Sequence, residues 1–266
     1  MIKLLQIDKR QRFLFHTAIA CMFIYLVFST FMLSTFRLLV AVIVFTLINV
    51  VLAHYPNIGV RNVHMASLLP ASLLLGSVIF LRSFPNFTYI FQLISILGCG
   101  VLYYLILLSD NIFLVVSDKD ELIPLYRVAI TWSQILSSLV SIPLYVGLFK
   151  IPINSVYHAL LVGFIGYFMC MYQIWSLKLD VEAKRIRVGE EILLSALVFF
   201  MVSSVSIGLS FFPSEAFLRA LVVSSVLMYG LSYVNAHLKN NITKKYIFQN
   251  ISTVFLFVIL ALLFHS

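Results

Sequence analysis

Residues 13–54 read FLFHTAIACMFIYLVFSTFMLSTFRLLVAVIVFTLINVVLAH: no glycine, no proline, and Arg37 as the one permanent charge. A continuous helix of that length would run roughly 60 Å, about twice the hydrocarbon thickness of a bilayer. The stretch therefore reads as two membrane spans, with the break expected at Ser34-Thr35 beside Arg37.

The same pattern recurs outward from this segment. Apolar runs of membrane-crossing length are expected at 13–32, 36–54, 62–82, 87–108, 123–148, 153–177, 190–211, 215–236 and 246–264. Between them stand His54-Tyr55-Pro56-Asn57-Ile58-Gly59, Phe84-Pro85-Asn86, Lys150-Ile151-Pro152 and Phe212-Pro213-Ser214, turn sequences in which proline cannot supply an interior helix bond. The fold class is thus an all-α polytopic transmembrane bundle of about nine spans, residues 1–266 forming one helical integral membrane domain. Composition agrees, since 62% of residues are hydrophobic and 11% charged, a balance that a water-exposed surface would not keep soluble.

The net charge of +8 follows the membrane pattern. Lysine and arginine accumulate in loops retained in the cytoplasm. With the N-terminus inside, 14 of the 18 basic residues fall on the inner face and Arg37, Arg82, Lys150 and Arg219 on the outer. The expected location is a bacterial-type cytoplasmic membrane, with the C-terminus outside, membrane lipids as surroundings and no nucleic-acid partner. Lys3, Lys9, Arg10 and Arg12 before Ala18-Ile19-Ala20-Cys21 imitate a signal peptide, but the apolar run continues past Cys21 and reads as an uncleaved span. Cys21, Cys99 and Cys170 lack CxxC spacing, so neither a disulfide framework nor zinc is expected.

Chemistry is sparse. Asp110, Glu190, Glu191 and Glu215 all read as span boundaries, which argues against a buried carboxylate relay. No GxxxxGK[ST], GxSxG or HExxH motif is present, and no cofactor is expected. Asp110 and Arg127 are the first candidates, placed at the inner ends of helices 4 and 5 where they could pair at a cavity mouth; Asp118, Asp120 and Glu121 compete for the same arginine. Asn49, Gln92, Gln134 and His158, with His16 and Gln173, form a second set that either lines a polar route or hydrogen-bonds between helices. Pro70 and Pro143 lie within spans and permit kinks, and Ser133, Ser137 and Ser141 repeat on one face of helix 5. Residues 112–116 are too apolar for a free loop and too short to cross, so they extend helix 4 or lie in the interface.

Asn111-Ile112-Phe113-Leu114-Val115, followed by Ile123-Pro124-Leu125 and Arg127, resembles a segment of an uncharacterised family of bacterial multi-pass membrane proteins. The resemblance covers about a tenth of the chain and implies no activity. It directs attention to Asn111, Pro124 and Arg127.

The reading the residues favour is a non-catalytic membrane component acting through helix contacts with a membrane-protein partner or a second copy of itself; the alternatives, in order, are a permease or flippase for a small or lipid-like substrate and an intramembrane transferase. The topology is directly testable. In a cysteine-free background, a cysteine at Lys184 is expected to react only from the cytoplasmic side and one at Ser266 only from outside, as read by impermeant thiol labelling of intact cells.

Overall fold

The computed structural model describes residues 8–29, 35–119, 124–180, 183–212 and 214–264. Lys3, Ser34, Asp120, Glu121, Ile123, Pro213 and Ser266, all used above, lie outside the described residues. Within them the chain forms nine helices: α1 (Lys9–Ser29), α2 (Thr35–His54), α3 (Val60–Ser83), α4 (Tyr89–Lys119), α5 (Leu125–Lys150), α6 (Ser155–Leu177), α7 (Val188–Ser210), α8 (Ala216–Leu238) and α9 (Lys244–Leu263). No strand occurs among the described residues. Eight of these helices are long and apolar enough to cross a membrane, and α9 carries a shorter apolar stretch, Ile247–Leu263.

The helix ends follow from local chemistry. α1 stops at Ser29 and α2 starts at Thr35, so the glycine-free stretch is two helices, as its length demands. Pro124 stands immediately before α5 with φ −52°, a value its ring imposes and a helix start accepts. Asn154 caps α6 by accepting a hydrogen bond from Val156 N at 3.3 Å. Beyond α8, Asn240 takes a left-handed φ of 51°, which asparagine tolerates better than most residues.

Helix 4 runs past its expected span of 87–108 and takes in residues 112–116, the first of the two placements expected for them. It is 31 residues long and runs through the apolar segment 112–116 to Lys119, about 46 Å at the standard rise. Phe113, Leu114 and Val116 are buried in the bundle, and that packing carries the helix past Asp110. Asp110 is therefore an interior residue of a helix and not its solvated end.

The bundle is organised as two groups. α1, α2, α3 and α4 pack among themselves, as do α5, α6, α7 and α8, with α9 laid against α8. The groups join mainly where α3 meets α5, supplemented by contacts of α4 with α5 and α3 with α6. Glycine makes the α3/α5 approach close. A Cβ at Gly76 would lie 3.0 Å from the backbone nitrogen of Leu144, and one at Gly147 would lie 3.1 Å from that of Phe80. Pro70 and Pro143 belong to these same two helices, which continue through them. Large apolar side chains such as Phe15, Phe91, Leu193, Phe200 and Phe255 cover the outside, the surface a lipid solvent requires.

The α3/α5 approach leaves no slack for a side chain. Gly76→Val is expected to destabilise the bundle by about 1–3 kcal/mol, as overpacking does when backbone must move. Gly98, which has open space where a Cβ would stand, is the control: Gly98→Ala should be neutral or slightly stabilising, since alanine favours helix by about 1 kcal/mol over glycine. Thermal unfolding in detergent separates the two.

Candidate functional site

Burial in a helical bundle forces polar side chains to find partners, and the amides singled out from the sequence do so at separate places. Asn49 of α2 accepts from His16 Nδ1 of α1 at 2.5 Å and donates through Nδ2 to Tyr103 Oη of α4 at 2.8 Å. Gln134 of α5 donates to the hydroxyl of Ser232 on α8. Gln92 donates to the carbonyl of Phe87 at 3.0 Å, a local bond at the start of α4. His158 turns back to the carbonyl of Ile151 at 3.0 Å, with its ring against Phe149. These residues do not converge on one cavity.

The serine stripe of α5 behaves likewise. Ser133 bonds to the carbonyl of Ile130 and donates to Gln173 Oε1 of α6, Ser137 bonds to the carbonyl of Ser133, and Ser141 donates to Ser224 of α8 at 2.8 Å. The bonds to Gln173 and Ser224 tie α5 to α6 and α8. Such interhelical bonds are worth about 0.6 kcal/mol each on average in membranes.

Asp110 stands apart. Its relative exposure is 0%. Tyr172 of α6 donates through Oη to Asp110 Oδ1 at 2.7 Å, whereas Oδ2 is buried with no hydrogen-bond partner. One turn further along, Phe113 of α4 meets Tyr126 of α5 and Trp175 of α6 edge-on, at ring centroid distances of 6.0 and 5.9 Å. This aromatic layer lies on the side of Asp110 toward Lys119. α4 and α6 do not pack along their length, so Tyr172 reaches across between them.

That bond has a further distinction. Of the hydrogen bonds given above, Tyr172 to Asp110 is the one that crosses from α1–α4 to α5–α9. Gln173, the next residue on α6, is also fully buried and leaves its Nε2 without a partner. Consecutive helix residues differ by about 1.5 Å in height, so both orphaned atoms belong to side chains at nearly one level.

The expected Asp110–Arg127 pair does not form. Arg127 is exposed in the first turn of α5, while the Asp110 carboxyl is enclosed and bonded to Tyr172. The sequence reading failed because it took every carboxylate as a span boundary. A usable signal was present: Tyr103, Leu107, Asp110 and Leu114 recur every three or four residues, placing Asp110 on the buried stripe.

A charged cluster lies at the end of the bundle formed by the last turns of α6 and α8 and the start of α7. Lys178 pairs with Glu191, Lys184 with Glu190 at 3.0 Å, His237 with Glu190 at 3.5 Å and Lys239 with Asp180 at 3.1 Å. Lys184 N also donates to the carbonyl of Leu238. The cluster staples three helices of one group together.

No protein-family model, curated protein or solved structure matches this chain. The site is therefore read from its own geometry.

That geometry sets an expectation for double-mutant cycles on thermal stability. Asp110→Asn and Arg127→Gln should add to within about 0.5 kcal/mol, because the residues do not touch. Asp110→Asn and Tyr172→Phe should couple by about 0.5–3 kcal/mol, as groups sharing a buried hydrogen bond do.

Proposed function

We propose that this multi-pass membrane protein is a carrier, of the permease or flippase kind, for an apolar, lipid-like substrate. Its setting is a bacterial-type cytoplasmic membrane, with the N-terminus inside and the C-terminus outside. The supporting observation is a cavity of 410 Å³ opening on the seam between the two helix groups, lined by Leu38 and Val42 of α2, Leu75 and Ile79 of α3, Leu148 of α5 and Phe164 of α6, among others. Ser72 is its one hydroxyl, and that group is already bonded to the carbonyl of Leu68 at 2.8 Å. Nothing in the wall seeks a polar partner, so the occupant that suits it is a hydrocarbon chain.

The distribution of polar groups supports the same choice of substrate. A hydrophilic route would need Asn49, Gln92, Gln134 and His158 facing a common space, and each is occupied elsewhere. Relative movement of the two groups about the α3/α5 contact is the motion this reading requires.

A second reading, a non-catalytic component acting through helix contacts with a partner or a second copy, is favoured by that consumption of polar side chains in interhelical bonds. For the transferase reading, no group of three or more histidines, cysteines or carboxylates placed to hold a metal ion occurs among the described residues.

The test is transbilayer movement of a phospholipid with a fluorescent acyl chain in liposomes containing the purified protein. Wild type is expected to accelerate movement over protein-free liposomes, and Leu39→Trp, which fills the cavity from its exposed edge, to slow it. Movement at the protein-free rate would abandon the carrier reading. Loss of the protein's abundance on removal of a co-purifying subunit would then favour the second.

A further inference from the structure

We propose that Asp110 is a proton-binding site: the bundle holds one proton on Oδ2, between its two helix groups. The inference stands on the geometry around this carboxyl and does not rest on the carrier reading.

An ionised carboxylate with no exposure and one hydrogen bond is expensive to keep inside a membrane bundle. A cation must offset it or a proton must neutralise it. No cation from the neighbouring elements contacts this carboxyl. On α1, Arg12 donates to the carbonyl of Tyr55, and His16 is held by Asn49. On α2, the ring of His54 sits between the carbonyls of Val50 and Leu107. On α3, His64 is exposed. On α5, Tyr126 donates to the carbonyl of Ser176, and Arg127 is exposed. On α4 itself, Tyr103 is engaged with Asn49. Tyr172 of α6 is the group that bonds the carboxyl, and it is neutral.

A metal ion fits poorly. Hard cations collect six or more oxygens, whereas the polar oxygens shown to converge here are the two of Asp110 and the hydroxyl of Tyr172. A proton needs one oxygen, and Oδ2 is the free one. The step balances simply: a proton adds to the carboxylate at Oδ2 and yields the neutral acid, while the Tyr172 O–H continues to donate to Oδ1, now the carbonyl oxygen. In this state the two groups share a hydrogen bond without a buried charge. Release of the proton restores the anion at the point where they meet, so occupancy of this site decides whether the seam carries a charge there.

Infrared difference spectroscopy on the full-length protein in bilayers tests this, comparing wild type, Asp110→Asn and Tyr172→Phe in light and heavy water and in sodium, potassium and choline media. Wild type should show a C=O stretch of a protonated carboxyl that shifts down in heavy water and is indifferent to the cation. Asp110→Asn should lack it. Tyr172→Phe should keep it at higher frequency, because the carbonyl loses its donor, and this variant decides the matter if Asp110→Asn does not fold. Persistence of the band in Asp110→Asn, or an unshifted band in Tyr172→Phe, would overturn the assignment. So would ionised-carboxylate bands that change with sodium or potassium in place of the acid band, which would identify a metal cation site instead. The readout is independent of lipid movement, so failure of either proposal leaves the other to be judged separately.

Discussion

Hydrocarbon offers no water to complete a backbone hydrogen bond, so a chain that enters it must satisfy each N–H and C=O within its own segment or in a closed sheet. This chain answers with nine helices among its described residues, and most other features follow. Prolines are excluded from span interiors except at Pro70 and Pro143, on helices packed against each other. Side-chain polar groups face the same condition. Thr46, Ser72, Ser77 and Ser83 each return a hydroxyl to the carbonyl four residues back, and the longer side chains reach across to a neighbouring helix.

Once backbone and side chains are paired in this way, close packing is left to hold the two groups of helices together. Gly76 and Gly147 let α3 and α5 approach at backbone distance, and Phe113 fills the space between α4, α5 and α6. Asp110 and Tyr172 add one directional bond to this largely apolar seam. The contrast with the amides is informative. Gln134 and Asn49 consolidate contacts inside a group, where loss of a bond weakens packing already made. Asp110 sits between groups, where its state of protonation decides whether the contact carries a charge.

Much of this was legible in the residues. The break between α1 and α2, the turns at Pro56, Pro85 and Pro152, and nearly every helix boundary follow from span length and proline, because lipid imposes one rule on all segments. The extension of α4 was half legible: residues 112–116 were recognised as too apolar for a loop, but the carboxylate before them was taken as a boundary. That error came from treating charge as a marker of water. Inside a bundle, a neighbouring helix can supply the hydrogen bond instead, and no property of Asp110 itself reveals that Tyr172, 62 positions away, does so.

By itself the sequence determined an all-helical membrane-spanning fold, since apolar length and charge placement are local properties that the bilayer reads segment by segment. The tertiary structure alone decided which helices are neighbours, that the amides are consumed pairwise, that Arg127 faces outward, and that an apolar cavity opens on the seam. The physical reason is the uniformity of lipid: apolar helix faces are equally content against hydrocarbon or against one another, so pairing rests on glycine notches, aromatic fit and single hydrogen bonds, which exist only when distant residues meet.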